Sequence, residues 1–473
     1  MDSLKKVANN YLIQVVGKVF TVFIGLIAVG ILTRYLGQEG FGSYTVAQTY
    51  LLVFGTIVEF GMTLTFIQMV SVEEEQEQQL VNRLMGLRLF SGLLFYSLAP
   101  LLVQFFPYAP TTKLAVFAGV IGFFFMTSTG MFIGFFQKHL IMWRFALSEI
   151  INRATFLFLI IVFALFGASA IGMMWAITIA NIIWFISIIF LIRPFLRVRP
   201  SIHLATWKEA LRRSWPIGVS TICNLIYLKG DIIFLGIFHG EASVGIYGVA
   251  YKVIDVVTMV PVMLMGLLLP QLTRFWNLKD RNSFQRFFQH AFDFFIMVSL
   301  PILVATQVMA KPISLLIGGE AFGVSGPVLQ LLIFSVLGLF LSSLYGHLIV
   351  AIEKQRIMTW GYAITAVITI VGYLIFIPPY GMWGAAGMTV FSEMLIALLT
   401  FIVVSRTTHL YPRLRVSLKV IASTAVMYLV LVILPAWHVL VVMGIGVFVY
   451  GAVLFSLGGI KLATLKQILS KTP

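Results

Sequence analysis

One cysteine stands in 473 residues. A lone Cys223 excludes a disulfide framework, a thiol pair and any cysteine-based metal cluster. Charge is almost as scarce. Asp, Glu, Lys and Arg together make up 10% of the chain, only 17 residues are acidic, and 60% are hydrophobic. At a mean hydropathy of +1.02, the apolar surface exceeds what one soluble core buries. The apolar runs are continuous rather than alternating, which excludes a membrane β-barrel. Long extramembrane loops on the outer side are also missing. Membrane glycosyltransferases and polymerases need such loops to carry carboxylate or arginine clusters, so enzymatic chemistry and a cofactor are not expected.

What remains is an all-α polytopic membrane protein, because in hydrocarbon a helix satisfies its own backbone. Fourteen apolar runs are long enough to span a bilayer, near 11–33, 43–67, 86–106, 113–136, 147–167, 171–193, 215–238, 248–270, 290–317, 327–351, 359–379, 382–405, 417–434 and 437–459. Lys5 and Lys6 precede the first run, which reads as an uncleaved span because it is long and holds Gln14 and Lys18. Of the 32 Lys and Arg, 25 fall at the termini and in the even-numbered loops, Arg83 and Arg88 among them. Three (Arg34, Lys113 and Lys311) fall on the odd side. That bias puts both termini in the cytoplasm. It also accounts for the net charge of +15 without a nucleic-acid partner, since basic loops face anionic headgroups.

An internal repeat organises the chain. Phe41-Gly42-Ser43-Tyr44-Thr45-Val46-Ala47 returns as Val244-Gly245-Ile246-Tyr247-Gly248-Val249-Ala250, and Gln137-Lys138-His139-Leu140-Ile141-Met142-Trp143 as Glu353-Lys354-Gln355-Arg356-Ile357-Met358-Thr359. Each copy spans six helices, an even number, so the two lobes enter the membrane alike as parallel repeats. The expected division is an N-terminal lobe 1–200, a second lobe 201–411, and two added helices with a cytoplasmic tail in 412–473. Between the lobes, Leu204, Trp207, Leu211 and Trp215 lie at helical spacing opposite Lys208, Arg212 and Arg213. This predicts an amphipathic helix in the cytoplasmic interface. Weaker versions are Phe284/Phe287/Phe288 and the tail Leu462/Leu465/Ile468/Leu469.

Leu36-Gly37-Gln38-Glu39-Gly40-Phe41-Gly42-Ser43-Tyr44, together with Gly381-Met382-Trp383-Gly384-Ala385-Ala386-Gly387, resembles the Wzx-type polysaccharide flippases. Their superfamily also holds multidrug exporters and lipid II flippases. The resemblance implies flipping of undecaprenyl-pyrophosphate-linked oligosaccharide across the bacterial inner membrane during O-antigen or related synthesis. It implies as partners the lipid-linked substrate, membrane lipids and polysaccharide polymerase machinery. A cation-coupled multidrug exporter and a lipid II flippase are the alternatives.

Four basic residues, Lys18, Arg153, Lys229 and Lys252, lie inside spans, where topology does not call for them. A charge in hydrocarbon costs at least about 2.5 kcal/mol, so such residues face a wet interior or a partner. Lys229 is too deep in its span to snorkel, and Asp231, two residues on, points elsewhere. Arg153 follows Glu149 by four residues and Asp255 follows Lys252 by three, the spacings of same-face pairs. The preferred reading has Lys18, Lys229 and Lys252, with Arg153, holding a pyrophosphate in a central cavity between the lobes. Asp231, Glu59 and Glu393 are the carboxylates for ion coupling, because burial raises a carboxyl pKa. His347 reads as a packing residue and Glu73–Glu77 as a solvated face.

Overall fold

The computed structural model describes residues 2–459, except 64, 67, 68, 70–76 and 436, and side chains from residue 16 onward, Leu267 excepted. The tail stretch Leu462–Leu469 and residues 73–76 of the acidic run lie outside the described residues. Helices follow one another as α1 (Asp2–Glu59), α2 (Glu77–Leu102), α3 (Pro110–Gly130), α4 (Ile133–Lys138), α5 (Met142–Leu165), α6 (Ala170–Ile192) and α7 (Leu204–Val257). They continue as α8 (Met259–Asn277), α9 (Arg281–Gly318), α10 (Ser325–Leu332), α11 (Phe334–Ala351), α12 (Gln355–Tyr380), α13 (Met382–Thr408), α14 (Arg415–Ile433) and α15 (Val439–Ser456). No strand occurs among the described residues.

Twelve helical segments among the described residues are long and apolar enough to cross a membrane, close to the fourteen crossings expected. Two are far too long for one crossing. Val16–Glu59 has 44 residues and Leu204–Asn277 has 74, whereas about 20 residues suffice. Each contains a break where two expected spans meet. Gly37 (φ 66°, ψ −172°) interrupts α1 and Gly240 (φ 73°, ψ −180°) interrupts α7. Positive φ with ψ near 180° is a region open essentially to glycine alone. These two breaks are 203 residues apart, the offset of the first repeated motif.

The chain forms two compact units, Met1–Gly248 with Ala366–Met382, and Val249–Thr365 with Trp383–Pro473. Repeat and packing unit are different divisions, since the first unit holds the whole first glycine motif and the second as far as Gly248. Within it α3 packs on α6, and α1 on α3 and α5. A core joins Phe66, Leu84, Phe132, Phe136, Ile188, Trp207 and Ala210. In the second unit α9 packs on α14, which packs on α15, around Met309, Met427, Leu431, Val439 and Val442. The two helices beyond the second lobe thus share a core with α9.

The two copies of the glycine motif meet inside the first unit. A Cβ on Gly42 would lie 1.7 Å from the Glu241 carbonyl oxygen, and one on Gly245 2.0 Å from that of Gln38. Since Gln38 and Glu241 are also 203 apart, each copy presents the same glycine to the same position of the other. Such reciprocity is the mark of a local two-fold relation.

Two expectations are corrected here. Arg88, placed in a cytoplasmic loop by the charge count, is inside α2 and 2% exposed. It sits two residues into an apolar run, where hydropathy alone hides it. The segment after Leu204 is indeed helical, but Trp207 does not face lipid. It is 7% exposed, its indole is 5.5 Å from the Phe90 ring in a tilted arrangement, and its Nε1 donates to the Arg83 carbonyl at 2.8 Å. Leu204, Leu211 and Trp215 stay exposed.

Candidate functional site

Lys229, Gly230 and Asp231 sit on α7, nine to eleven residues before its break at Gly240. Asp231 is fully buried. Its Oδ2 accepts from the Tyr247 hydroxyl at 2.5 Å and its Oδ1 from the Ile232 amide at 2.8 Å. Tyr247 is the tyrosine of the second glycine motif, so the hydrogen bond ties together the two arms of α7 across the kink. Tyr373 of α12 closes the other side, with its hydroxyl donating to the Tyr227 carbonyl at 3.0 Å. Its ring lies where a Cβ on Gly230 would approach to 3.1 Å. Glycine at 230 lets that ring approach the α7 backbone. Asn224 bonds the Tyr227 hydroxyl one turn earlier. Lys229, half-buried on the adjoining face, therefore emerges from a stretch of α7 held rigid by buried tyrosines.

The Lys18 ammonium is 2.6 Å from Glu149 Oε1, and the two side chains are 35% and 15% exposed. Glu149 therefore joins a cation on α1 as its partner, while Arg153, one turn further along α5, is half-buried. Beside it Asn152 donates to Asn181 at 3.1 Å, joining α5 to α6. The first unit thus carries Lys18, Arg153 and Lys229 at membrane depth. Lys252 belongs to the second unit, where its ammonium is 3.7 Å from Asp255.

The other two carboxylates expected to couple an ion differ in setting. Glu59 caps the end of α1, accepting from the Gly61 amide at 2.8 Å and the Thr63 amide at 3.0 Å. It satisfies backbone donors that a helix break exposes. Glu393 is 1% exposed, on α13. Gly338 of α11 meets it closely, for a Cβ at 338 would lie 3.0 Å from that of Glu393. His347 bonds the Ser343 carbonyl at 2.7 Å, as a packing residue would.

Sequence reasoning missed Arg88. Its Nε donates to the Thr127 carbonyl at 3.2 Å and its Nη1 to the Val58 carbonyl at 3.1 Å. The guanidinium thereby staples the end of α1 to α3. It also walls a small cavity shared with Met62, Thr63, Thr65, Phe66, Leu84, Met131 and Ala210. Just past Val58 the chain turns through Phe60 (φ 40°) and Gly61 (φ 72°). Gly61 lies against Ile217 and Gly218 at the start of the seventh span.

A model of the polysaccharide biosynthesis protein family matches residues 7–276. The chain belongs to that family. The match runs from the first span through the whole of the kinked pair that carries Lys229, Asp231 and Tyr247. Curated proteins offer this family member no significant match. Solved structures similar to it include the lipid II flippase MurJ in an inward closed conformation. That structure is 16% identical, with a TM-score of 0.78, covering 93% of this chain and 97% of MurJ. An inward-facing multidrug resistance MATE family transporter of the MOP superfamily is 13% identical, with a TM-score of 0.66 and coverage of 82% and 94%. A MOP superfamily transporter from Pyrococcus furiosus is 11% identical, with a TM-score of 0.63 and coverage of 85% and 95%. At such identities the likeness establishes the fold. This family member is a multi-pass membrane protein with the fold of flippases and transporters.

Proposed function

We propose that this chain flips undecaprenyl-pyrophosphate-linked oligosaccharide across the bacterial inner membrane by alternating access, with both termini in the cytoplasm. It would hand the glycan on to polymerase machinery. The observation that carries this reading is Lys229, a cation well inside a span, fixed on a stretch of α7 that Tyr227, Tyr247 and Tyr373 hold in place. An ammonium there suits a pyrophosphate, because charge-assisted contacts strengthen away from water. Lys18 and Arg153 add cationic groups in the same unit, and Lys252 a further one in the second. Lys18 would join the substrate by exchanging the Glu149 carboxylate for a phosphate oxygen. Coupling to an ion gradient would run through Asp231 and Glu393, with Glu59 serving here as a helix-end cap.

A cation-coupled multidrug exporter would need an acidic group open to a cationic drug. Asp231 argues against it, since both its oxygens already accept hydrogen bonds from the chain itself. A lipid II flippase shares the fold, and substrate competition separates it from the reading preferred here. The test follows crossing of a pyrophosphate-linked glycolipid in reconstituted vesicles for wild type, Lys18→Gln and Lys229→Gln. Slower flipping in either variant is expected. Undiminished flipping in both sinks the pyrophosphate proposal, and equal competition by lipid II would favour the alternative substrate.

A further inference from the structure

Each unit contains the same unusual construction at the end that the charge bias assigns to the cytoplasm. In the first, the Gln78 side-chain amide on α2 bonds both peptide groups of Arg197. It donates to the Arg197 carbonyl at 2.5 Å and accepts from the Arg197 amide at 3.0 Å. One turn along, Asn82 Oδ1 accepts from the Arg199 amide at 2.8 Å. In the second unit, Gln289 on α9 donates to the Arg413 carbonyl at 2.9 Å and accepts from its amide at 2.7 Å. One turn along, Asp293 accepts from the same glutamine at 2.8 Å. The helix positions correspond at offset 211, with Gln78 and Asn82 matching Gln289 and Asp293. Arg197 and Arg413 are 216 apart, the offset of the second repeated motif.

The consequence is a fixed exit direction for Arg197, Arg199 and Arg413, with Arg415 opening the helix that follows. Backbone polar groups in a linker ordinarily go to water. Here those of Arg197 and Arg413 are consumed by a glutamine, which orders the peptide and leaves the guanidinium outside. Arg197, Arg199, Arg413 and Arg415 are all exposed, and no carboxylate pairs with them among the described residues. Large apolar side chains surround them in sequence and are exposed too, namely Phe195, Ile202 and Leu204 at the first clamp, and Tyr411, Leu414 and Leu418 at the second. Ordered guanidiniums between exposed apolar side chains match the depth of lipid phosphates, where the apolar groups enter acyl chains and the charges meet headgroups. Arginine's planar fork is suited to a phosphate ester.

We propose that the two glutamine clamps form a pair of binding sites, one per unit, for the headgroups of anionic phospholipids. The full-length protein is titrated with phosphatidylglycerol and with phosphatidylcholine, and bound lipids are counted by native mass spectrometry. Wild type is expected to prefer phosphatidylglycerol. Arg197→Gln with Arg199→Gln, and Arg413→Gln with Arg415→Gln, should each weaken that preference by about fivefold per arginine. Gln78→Leu and Gln289→Leu, which remove the clamp and leave the charge, should weaken it as well. Lys279→Gln with Lys354→Gln, exposed basic residues outside the clamps, should leave it unchanged. An equal loss in that control pair, or full binding in both glutamine variants, overturns the proposal. So does displacement by millimolar inorganic phosphate as complete as that by phosphatidylglycerol, which would show an unspecific anion site.

Discussion

The backbone of Gly42 rests against the Glu241 carbonyl, so closely that a Cβ at residue 42 would sit 1.7 Å from its oxygen. In the mirror contact, a Cβ on Gly245 would lie 2.0 Å from the Gln38 carbonyl oxygen. Backbone cannot retreat as a flexible side chain can, so alanine at either position must push two helices apart. Overpacking of this kind costs about 1–3 kcal/mol. Gly42→Ala and Gly245→Ala should each lower the thermal midpoint of the detergent-solubilised protein. Gly25→Ala and Gly387→Ala, where a Cβ meets nothing within 4 Å, should hold or raise it, since alanine is the better helix former. A thermal-shift series ranking the four in any other order contradicts the reciprocal contact.

Gly37 and Gly240 make a different demand. A Cβ at either meets nothing within 4 Å, yet both have positive φ. The expected penalty for alanine there is therefore purely conformational, about 1–3 kcal/mol at each. Because the two breaks are copies of one another, Gly37→Ala and Gly240→Ala should cost the same within error. Comparable losses of folded protein on heating would support this, and a harmless Gly240→Ala would not.

How far the molecule was legible follows from which interactions leave a trace in sequence. The apolar spans are written in hydropathy, and the two copies of the glycine motif in a short run of matching residues, both local properties. The repeat is deeper than the motifs show. Gln78 and Gln289 do the same work in surroundings, Glu77-Gln78-Gln79 and Phe288-Gln289-His290, that share little. An amide bonded to a backbone asks nothing of the partner's side chain, so no pattern marks it. Nor does Glu149 announce that its cation is Lys18, 131 residues away, rather than Arg153 one turn along. Arg88 escaped because a charge near the end of an apolar run is assigned to the loop by default. Depth alone singled out Lys229 and Asp231, and the tyrosines around them came only with the fold.

Arg88 deserves a direct comparison of lysine with methionine. Its two hydrogen bonds reach carbonyls on different helices, a span that one ammonium on a flexible stem does not reproduce. Leaving a buried acceptor unsatisfied costs about 1–3 kcal/mol, and here two carbonyls lose their donor. Arg88→Met should therefore be severely destabilised, and Arg88→Lys only partly rescued. If the guanidinium staples the end of α1, Thr63→Cys in the Cys223→Ser background should become more reactive to a membrane-impermeant thiol reagent in Arg88→Lys. Reactivity equal to that of the Arg88 parent would show that the turn is held by other means.

The N-terminus of α9 offers a pH test outside the spans. Asp280 caps that helix, accepting from the Ser283 amide at 3.0 Å, and hydrogen bonding from Ser283 holds its carboxyl below the ordinary aspartate value. A folded pKa depressed in this way contributes stability that is complete above the unfolded value. The contribution fades as pH falls through the folded value. Protection of the first-turn amides of α9 against hydrogen exchange should thus weaken in acid, once the intrinsic pH dependence of exchange is removed. Asp280→Asn keeps a capping oxygen that does not titrate, so it should abolish the acid dependence while keeping most of the protection.

Glu149 decides how the pyrophosphate reading treats Lys18. In the closed pair at 2.6 Å, the carboxylate competes with any phosphate for the ammonium. Glu149→Gln removes the competitor and leaves the cation, while Lys18→Gln removes the cation itself. If Lys18 holds substrate, the first change should strengthen apparent glycolipid affinity and slow release, and the second should weaken affinity by about tenfold, the equivalent of one charge-assisted contact. If the pair is only structural, both variants should lose stability together and neither should shift affinity. Half-saturation of flipping against substrate density, measured beside the thermal midpoint, separates the two outcomes. An affinity that falls equally in both variants would place Lys18 outside the substrate path.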